Sequence, residues 1–187
     1  MGGHAHAHAA LDDGQQTTPA NDERRQGRRG VIDTHAGSGI YDLTGPEAAR
    51  NPEWRNGIGR LLDADIDPAA RELLADYLDA VRSAHPDGRI IRYPGSPALV
   101  QSWLRRQDRL VACELEPSAA TALTRNFRGD RRVKIISIDG WTALSAYIPP
   151  KERRGLVLID PPYEATDEFS RLATALEAAS QKWPTGI

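Results

Sequence analysis

Residues 156–164 read Leu-Val-Leu-Ile-Asp-Pro-Pro-Tyr-Glu. The run Leu156–Ile159 has no polar alternation, which suits a short strand covered on both faces, as in a parallel sheet. Pro161 and Pro162 cannot donate to a β-ladder, so the strand stops at once. Asp160 is therefore expected at the carboxyl end of a central strand, the edge where open α/β sheets place their ligands. A strand end with an Asp turn is the plain alternative for Asp-Pro alone. The apolar run followed by a stiffened Asp-Pro-Pro-Tyr favours a chemical role, because rigid loops at that edge carry function.

Working outward, three more strands end in residues able to grip a ligand. Val31-Ile32 runs into DTHAGSG, Leu110–Cys113 into Glu114, and the strand from Arg132 into Asp139-Gly140. Helical spacing separates them. Ser118 opens a helix with Ala122, Leu123 and Phe127 on one face, and Trp141 opens a shorter one stopped by proline. Phe169, Leu172, Ala173, Leu176 and Ala179 predict the inward face of another helix. Crossovers too long for hairpins argue for an α/β fold with a doubly wound, mainly parallel sheet. One gap is too long for a single crossover. Residues 44–95 read as a small helical insertion after the first strand, with Leu73, Leu74, Tyr77, Leu78 and Val81 inward. Ser96 before Pro97 reads as a cap for the helix that follows. Pro184–Ile187 reads as a helix stop and the first residue of a further strand, so the last strands of the sheet are expected to be missing.

The chain has 187 residues, a net charge of −2, 40% hydrophobic and 27% charged residues, values of an ordinary globular domain. Bulk charge does not advertise a nucleic-acid partner. Cys113 is the single cysteine, so there is no disulfide framework and a reducing, cytoplasmic location is expected. No apolar run approaches the ~18 residues of a membrane span. Residues 1–29 are polar and aperiodic and are expected to be disordered. His4, His6 and His8 alternate there without a carboxylate or cysteine at ligand spacing, so no metal site is expected. Arg24, Arg25, Arg28 and Arg29 read equally as a phosphate contact or a solvated charge run.

Gly37 and Gly39 would let a ligand approach the backbone closely, although a tight turn explains them too. A dinucleotide fingerprint would need G-x-G-x-x-G with an acid about 20 residues on, and a P-loop its Lys-Ser/Thr; neither is present. Glu114 could accept from both hydroxyls of a ribose. Glu116 is its competitor, and Glu114 is preferred because it directly follows the apolar run. Asp139 could accept from an adenine amine beside the unobstructed Gly140 backbone. A solvated acid at a strand end is the alternative for each.

DPPY after an apolar strand resembles the motif of S-adenosylmethionine-dependent methyltransferases acting on exocyclic amines. Together, VIDTHAGSGIYDL, YPGSP, ACELEPS, IDGW and RRGLVLIDPPYE resemble the RlmJ family, which methylates N6 of an adenine in bacterial 23S ribosomal RNA, over residues 31–187. The resemblance implies a Rossmann-like sheet, S-adenosylmethionine as cofactor and 23S ribosomal RNA, protein-free or early in assembly, as partner. It implies that His35, Ser96, Glu114, Asp139 and Gly140 contact the cofactor and that Asp160 is the catalytic carboxylate. Pro161 and Tyr163 would meet the adenine. Taken alone, His35 reads as a core histidine and Ser96 as a helix cap. No metal and no membrane are implied. DPPY is also shared with DNA adenine and ribosomal guanine methyltransferases, and a nucleoside- or RNA-binding fragment without activity is the non-enzymatic alternative. The chain lacks the family's N-terminal tyrosine and Lys-His pair and its C-terminal third, so residues 30–187 are expected to form a partial methyltransferase domain.

Overall fold

The computed structural model describes residues 27–85, 89–152, 154–163 and 165–187. The tail histidines, Arg24 and Arg25 lie outside the described residues, as does the stretch expected to be disordered up to residue 26. Arg29 already belongs to the first strand. The strands are β1 (Arg29–Asp33), β2 (Ile40–Asp42), β3 (Arg92–Pro94), β4 (Arg109–Cys113), β5 (Val133–Ile136) and β6 (Arg154–Leu158). The helices are α1 (Pro46–Arg50), α2 (Arg60–Asp63), α3 (Pro68–Ser83), α4 (Ser96–Trp103), α5 (Pro117–Asn126), α6 (Gly140–Tyr147) and α7 (Glu168–Lys182), and one π-helical turn (Arg55–Gly59) precedes α2.

Four strands form a parallel sheet in the order β5-β4-β1-β6. β1 is the central strand, with Val31 opposite Leu110 on one side and Leu156 on the other. β6, expected at the centre, lies at the end of this order and its apolar residues are only half-buried. Among the described residues, what flanks it on its outer side is Ile187: Val157 N–H donates to Ile187 O (2.7 Å) and Ile187 N–H to Gly155 O (3.4 Å), the pattern of a parallel bridge.

The pleat sends alternate residues to opposite faces, and helices cover both. One face packs Leu110, Ala112 and partly buried Val31 and Leu158 against Val100 of α4 and Leu123 of α5. The other packs Ile32, Val157 and Ile159 against Leu144 of α6 and Ala175 and Ala179 of α7. The sheet is thus doubly wound.

The long gap after β1 is framed by an antiparallel ribbon, β2–β3, in which Tyr41 opposes Tyr93. This ribbon was not expected, since its strands are three residues each, too short to show a period. Between them, Asp67 caps α3 through Ala69 N–H (2.8 Å), with Pro68 in the first turn. Leu78, Val81 and Ile58 form a separate apolar cluster with Trp54, Leu74, Tyr77 and Tyr93. The Tyr77 and Tyr93 hydroxyls lie 2.9 Å apart. Leu73, expected inward, is 87% exposed. Leu74, Tyr77, Leu78 and Val81 already complete the buried stripe, and Leu73 falls outside it.

At the amino-terminal edge of the sheet, buried Asp108 accepts from the backbone N–H of Arg29 (2.9 Å) and Arg105 (3.1 Å) and from the Arg105 guanidinium (2.8 and 2.9 Å). Burial alone would raise its pKa. Arg105 and the two amides more than offset this and hold the carboxyl below the usual range. Asp108→Ala leaves these donors without their acceptor, and a loss of about 3–5 kcal/mol is expected from urea denaturation. Leu73→Ser, at a solvated position, should change stability by less than about 0.5 kcal/mol.

Candidate active site

The site assembles where β1, β4, β5 and β6 deliver their carboxyl ends to one edge. β1 ends in Asp33, which is 1% exposed. Thr34 fixes the turn that follows. Its N–H and its hydroxyl both donate to Leu158 O (3.0 Å each), clamping the end of β1 to the end of β6. Because the hydroxyl proton is spent on Leu158 O, its contact with His35 Nδ1 (2.9 Å) requires Nδ1 to be the donor. His35 is then the tautomer whose Nε2 is an acceptor. Burial pushes its pKa down, against the pull of nearby carboxylates, which favours the neutral ring.

Both loop glycines are required by geometry. Gly37 (φ 58°) and Gly39 (φ 71°) take left-handed conformations. A Cβ on Gly39 would lie 2.4 Å from the Phe127 ring, and one on Gly37 would meet the Tyr41 hydroxyl. Gly140 is equally confined: a Cβ there would sit 2.5 Å from both His35 Nε2 and Thr34 O. The loop is tied further by Asn126 Nδ2 donating to Ser38 O (2.9 Å) and by Gly95 N–H donating to Gly39 O (2.9 Å).

Glu114 links two loops. Oε2 accepts from Gly37 N–H (2.7 Å) and Oε1 from Glu116 N–H (2.8 Å). Each oxygen retains a further lone pair. The Glu116 side chain is spent on capping α5, accepting from Ser118 N–H (3.0 Å) and Ala119 N–H (2.6 Å). This separates the two acids by position, and it corrects the expectation of Ser118 as the cap. Asp139 caps α6, with Oδ1 accepting from Thr142 N–H and Oγ1 (2.9 Å each). Ser96, read as a cap, makes no capping bond: it begins α4 after Gly95. Its side chain instead favours the ionised form of Asp33, placing it at the site edge.

Asp160 is exposed, Pro161 is fully buried and Tyr163 is 41% exposed. Tyr163 adopts a left-handed backbone (φ 57°) and stacks on Phe169 with ring centres 5.0 Å apart and planes at 28°. Trp141, after Gly140, meets His35 edge-on at 5.4 Å. The expected residues thus gather at one edge of the sheet, carried by the segments that follow the different strands.

Two residues were not anticipated. Asp33 has an Oδ2 with no hydrogen-bond partner among the described residues, and so has Glu168 Oε2. Glu168, 6% exposed, starts α7. Its charge reaches His35, as do those of Asp139, Glu114 and Asp160. Asp33 has a visible signal, an acid closing a short apolar strand, the same one that marks Glu114. Glu168 has none, because an acid in a first helical turn reads as a dipole partner. Five carboxylates, Asp33, Glu114, Asp139, Asp160 and Glu168, therefore act on one another or on His35. Among the described residues, no group of three or more His, Cys, Asp and Glu is placed to hold a metal ion. Under the site, the thiol of buried Cys113 is pushed up to about 11, by burial first and Asp33 next.

Burial, chiefly, raises the Asp33 pKa to about 6, with Asp160 and Glu114 adding to the effect. Between pH 3.8, the ordinary value of the side chain, and about 6, the folded state then binds a proton that the unfolded state releases. Folding stability should fall as pH rises through that window and stay reduced at neutral pH. Asp33→Asn should abolish this component. The variant should be more stable than the parent by about 2–3 kcal/mol at pH 7, with the difference vanishing near pH 4, in denaturant melts across pH without ligand.

The chain matches the family model described as Ribosomal RNA large subunit methyltransferase D, RlmJ, over residues 28–187. It is 40% identical over 156 residues to ribosomal RNA large subunit methyltransferase J of Haemophilus influenzae, and 38% identical over 156 residues to that of Escherichia coli. Each match covers 83% of this chain but only 54% and 55% of those proteins. A crystal structure of a Legionella pneumophila protein superposes with a TM-score of 0.77 at 33% identity, covering 89% of this chain and 60% of that one. The chain spans about half the length of the curated relatives it matches. With the model matched over nearly all the described residues, the chain belongs to the RlmJ family.

Proposed function

We propose that this protein transfers a methyl group from S-adenosylmethionine to the exocyclic N6 amine of an adenine in 23S ribosomal RNA, in the cytoplasm. One observation carries the reading: Asp33, Glu114, Asp139, Asp160 and Glu168 act on one another or on His35 around a glycine loop at the strand ends. Two buried carboxylate oxygens in this cluster, on Asp33 and Glu168, lack a partner among the described residues. A positively charged nucleoside suits such a cluster of acids, because buried acceptors without donors are costly until a cation or donor reaches them.

In this reading Glu114 uses its remaining lone pairs on ribose hydroxyls, while Gly37 and Gly39 let the loop turn tightly against Tyr41 and Phe127 and so hold it at the ligand edge. His35, Ser96, Asp139 and Gly140 complete the cofactor site. Bound S-adenosylmethionine supplies a methyl group already activated by positive sulfur.

An adenine amine is a poor nucleophile, since its lone pair is delocalised into the ring. Asp160 and the Pro161 carbonyl accept the two N6 hydrogens, which turns the lone pair toward the methyl. Buried Pro161 and the rigid Pro162 hold these acceptors in place, so the gain is preorganisation rather than strong basicity. Tyr163 stacks on a base turned out of its helix. Asp160 takes up the released proton late.

Methyl transfer from labelled S-adenosylmethionine to protein-free 23S ribosomal RNA is the deciding assay. Transfer to duplex DNA instead would point to a DNA adenine methyltransferase, transfer to a guanine to a guanine enzyme, and binding without transfer to an inactive module. Asp160→Asn should keep cofactor binding and lose at least roughly 100-fold in rate; undiminished turnover would remove Asp160 from its role. Glu114→Ala should weaken cofactor binding by about 1.5–3 kcal/mol in titration calorimetry. Glu116→Ala should leave that affinity intact and lower folding stability by about 1 kcal/mol through the lost cap.

A further inference from the structure

Helical spacing assigned Phe169 to the core. It is instead 72% exposed, and neither it nor Tyr163 belongs to any of the apolar clusters. Adjacent residues in the first turn of α7 differ sharply: Glu168 is buried, while Phe169 is exposed and lies against the Tyr163 ring. Tyr163 adopts a left-handed conformation unusual for a bulky residue, two residues after the buried Pro161. The pair forms an exposed, near-parallel two-ring stack at the lip of the site, three residues from Asp160. A second aromatic contact lies on the same helix, where Arg171 sits over the Trp141 ring at 5.0 Å and Trp141 meets His35.

A solvated phenyl ring offers a flat apolar face and no hydrogen-bonding group. The ligand that best matches it is another flat ring, and every nucleobase has one. Proteins that read RNA by sequence stack unpaired bases on aromatic side chains. We propose that Phe169 is a second stacking platform, which takes the nucleobase next to the target adenine, so that the substrate is engaged as an unpaired strand of at least two nucleotides. The proposal rests on the reading above, in which Tyr163 receives the adenine. Tyr163 would stack the target on its outer face and Phe169 the neighbour on its own, the strand splaying the two bases apart. A base still stacked in a duplex cannot make this contact, so the platform selects loops, bulges and ends.

The test uses short unpaired RNAs containing one adenine, with the 5′ or the 3′ neighbour replaced by an abasic residue, and measures their affinity by fluorescence anisotropy. Phe169→Ala should weaken binding of the intact RNA by about 5- to 150-fold, the range for losing one base–aromatic stack. One of the two abasic RNAs should lose a similar factor with the parent protein and almost nothing further with Phe169→Ala. A merely structural role would not produce that non-additivity. Phe169→Tyr should restore affinity, and Leu176→Ala, at another exposed apolar position on α7, should have no effect. Calorimetric affinity for S-adenosylmethionine should be unchanged in Phe169→Ala, which also shows that the variant is folded. Unchanged RNA affinity in Phe169→Ala, or full sensitivity to both abasic positions in that variant, overturns the proposal while leaving methyl transfer by the parent intact. A parent protein that neither binds nor methylates any RNA overturns the underlying reading as well.

Discussion

The two-sided pairing of β1 is the constraint from which the site follows. With β4 on one edge and β6 on the other, its register fixes where all three strands end. The chain then leaves the sheet in a loop whose direction is set by two donors of Thr34 on one carbonyl of β6 and by Ala36 N–H on Cys113 O of β4 (2.9 Å). Parallel strands ending together bring their terminal acids together. The arrangement is costly: burial first, and the neighbouring Asp160 and Glu114 next, raise the pKa of Asp33, and the packing of both sheet faces must hold it. Strained polar sites of this kind are expected where a ligand completes them.

The strands and the residues that close them were legible because each is a short apolar run ending in an acid or in glycine and proline, and these signals are local. Glu114, Asp139, Gly140 and Asp160 were found that way. What escaped depended on contacts distant in sequence. The β2–β3 ribbon joins segments about 50 residues apart. The burial of Glu168 follows from how α7 docks on the sheet, and the exposure of Phe169 follows from the same docking. Helical period alone marks a stripe but not its limits, which is why Leu73 and Phe169 were both placed inside. Two caps were misassigned: Glu116, two residues earlier, reaches the free N–H groups of α5 that Ser118 was expected to serve, and Ser96 makes no capping bond to α4.

A net charge of −2 conceals how unevenly the charges lie. Acids converge at the ligand edge, while Arg29, Arg105, Arg109 and Arg132 lie toward the opposite ends of the strands. Under the proposed function this polarity has a mechanical meaning. A polyanion brought to an acidic mouth is repelled by its phosphates and attracted only through its bases. Recognition near the reacting amine then relies on stacking and directed hydrogen bonds, which are short-ranged and indifferent to salt, whereas phosphate contacts weaken steeply with ionic strength.

Cys113 closes β4 in the least accessible part of the sheet, with its thiol pushed up to about 11. At neutral pH only about one thiol in ten thousand is thiolate, the form that reacts, and no reagent reaches even that fraction while β4 is paired on both sides. The single thiol is consequently a silent tag in the native protein. Its alkylation reports the opening of the central sheet and nothing else, so an added reagent can time the transient unfolding of this fold without any engineered label.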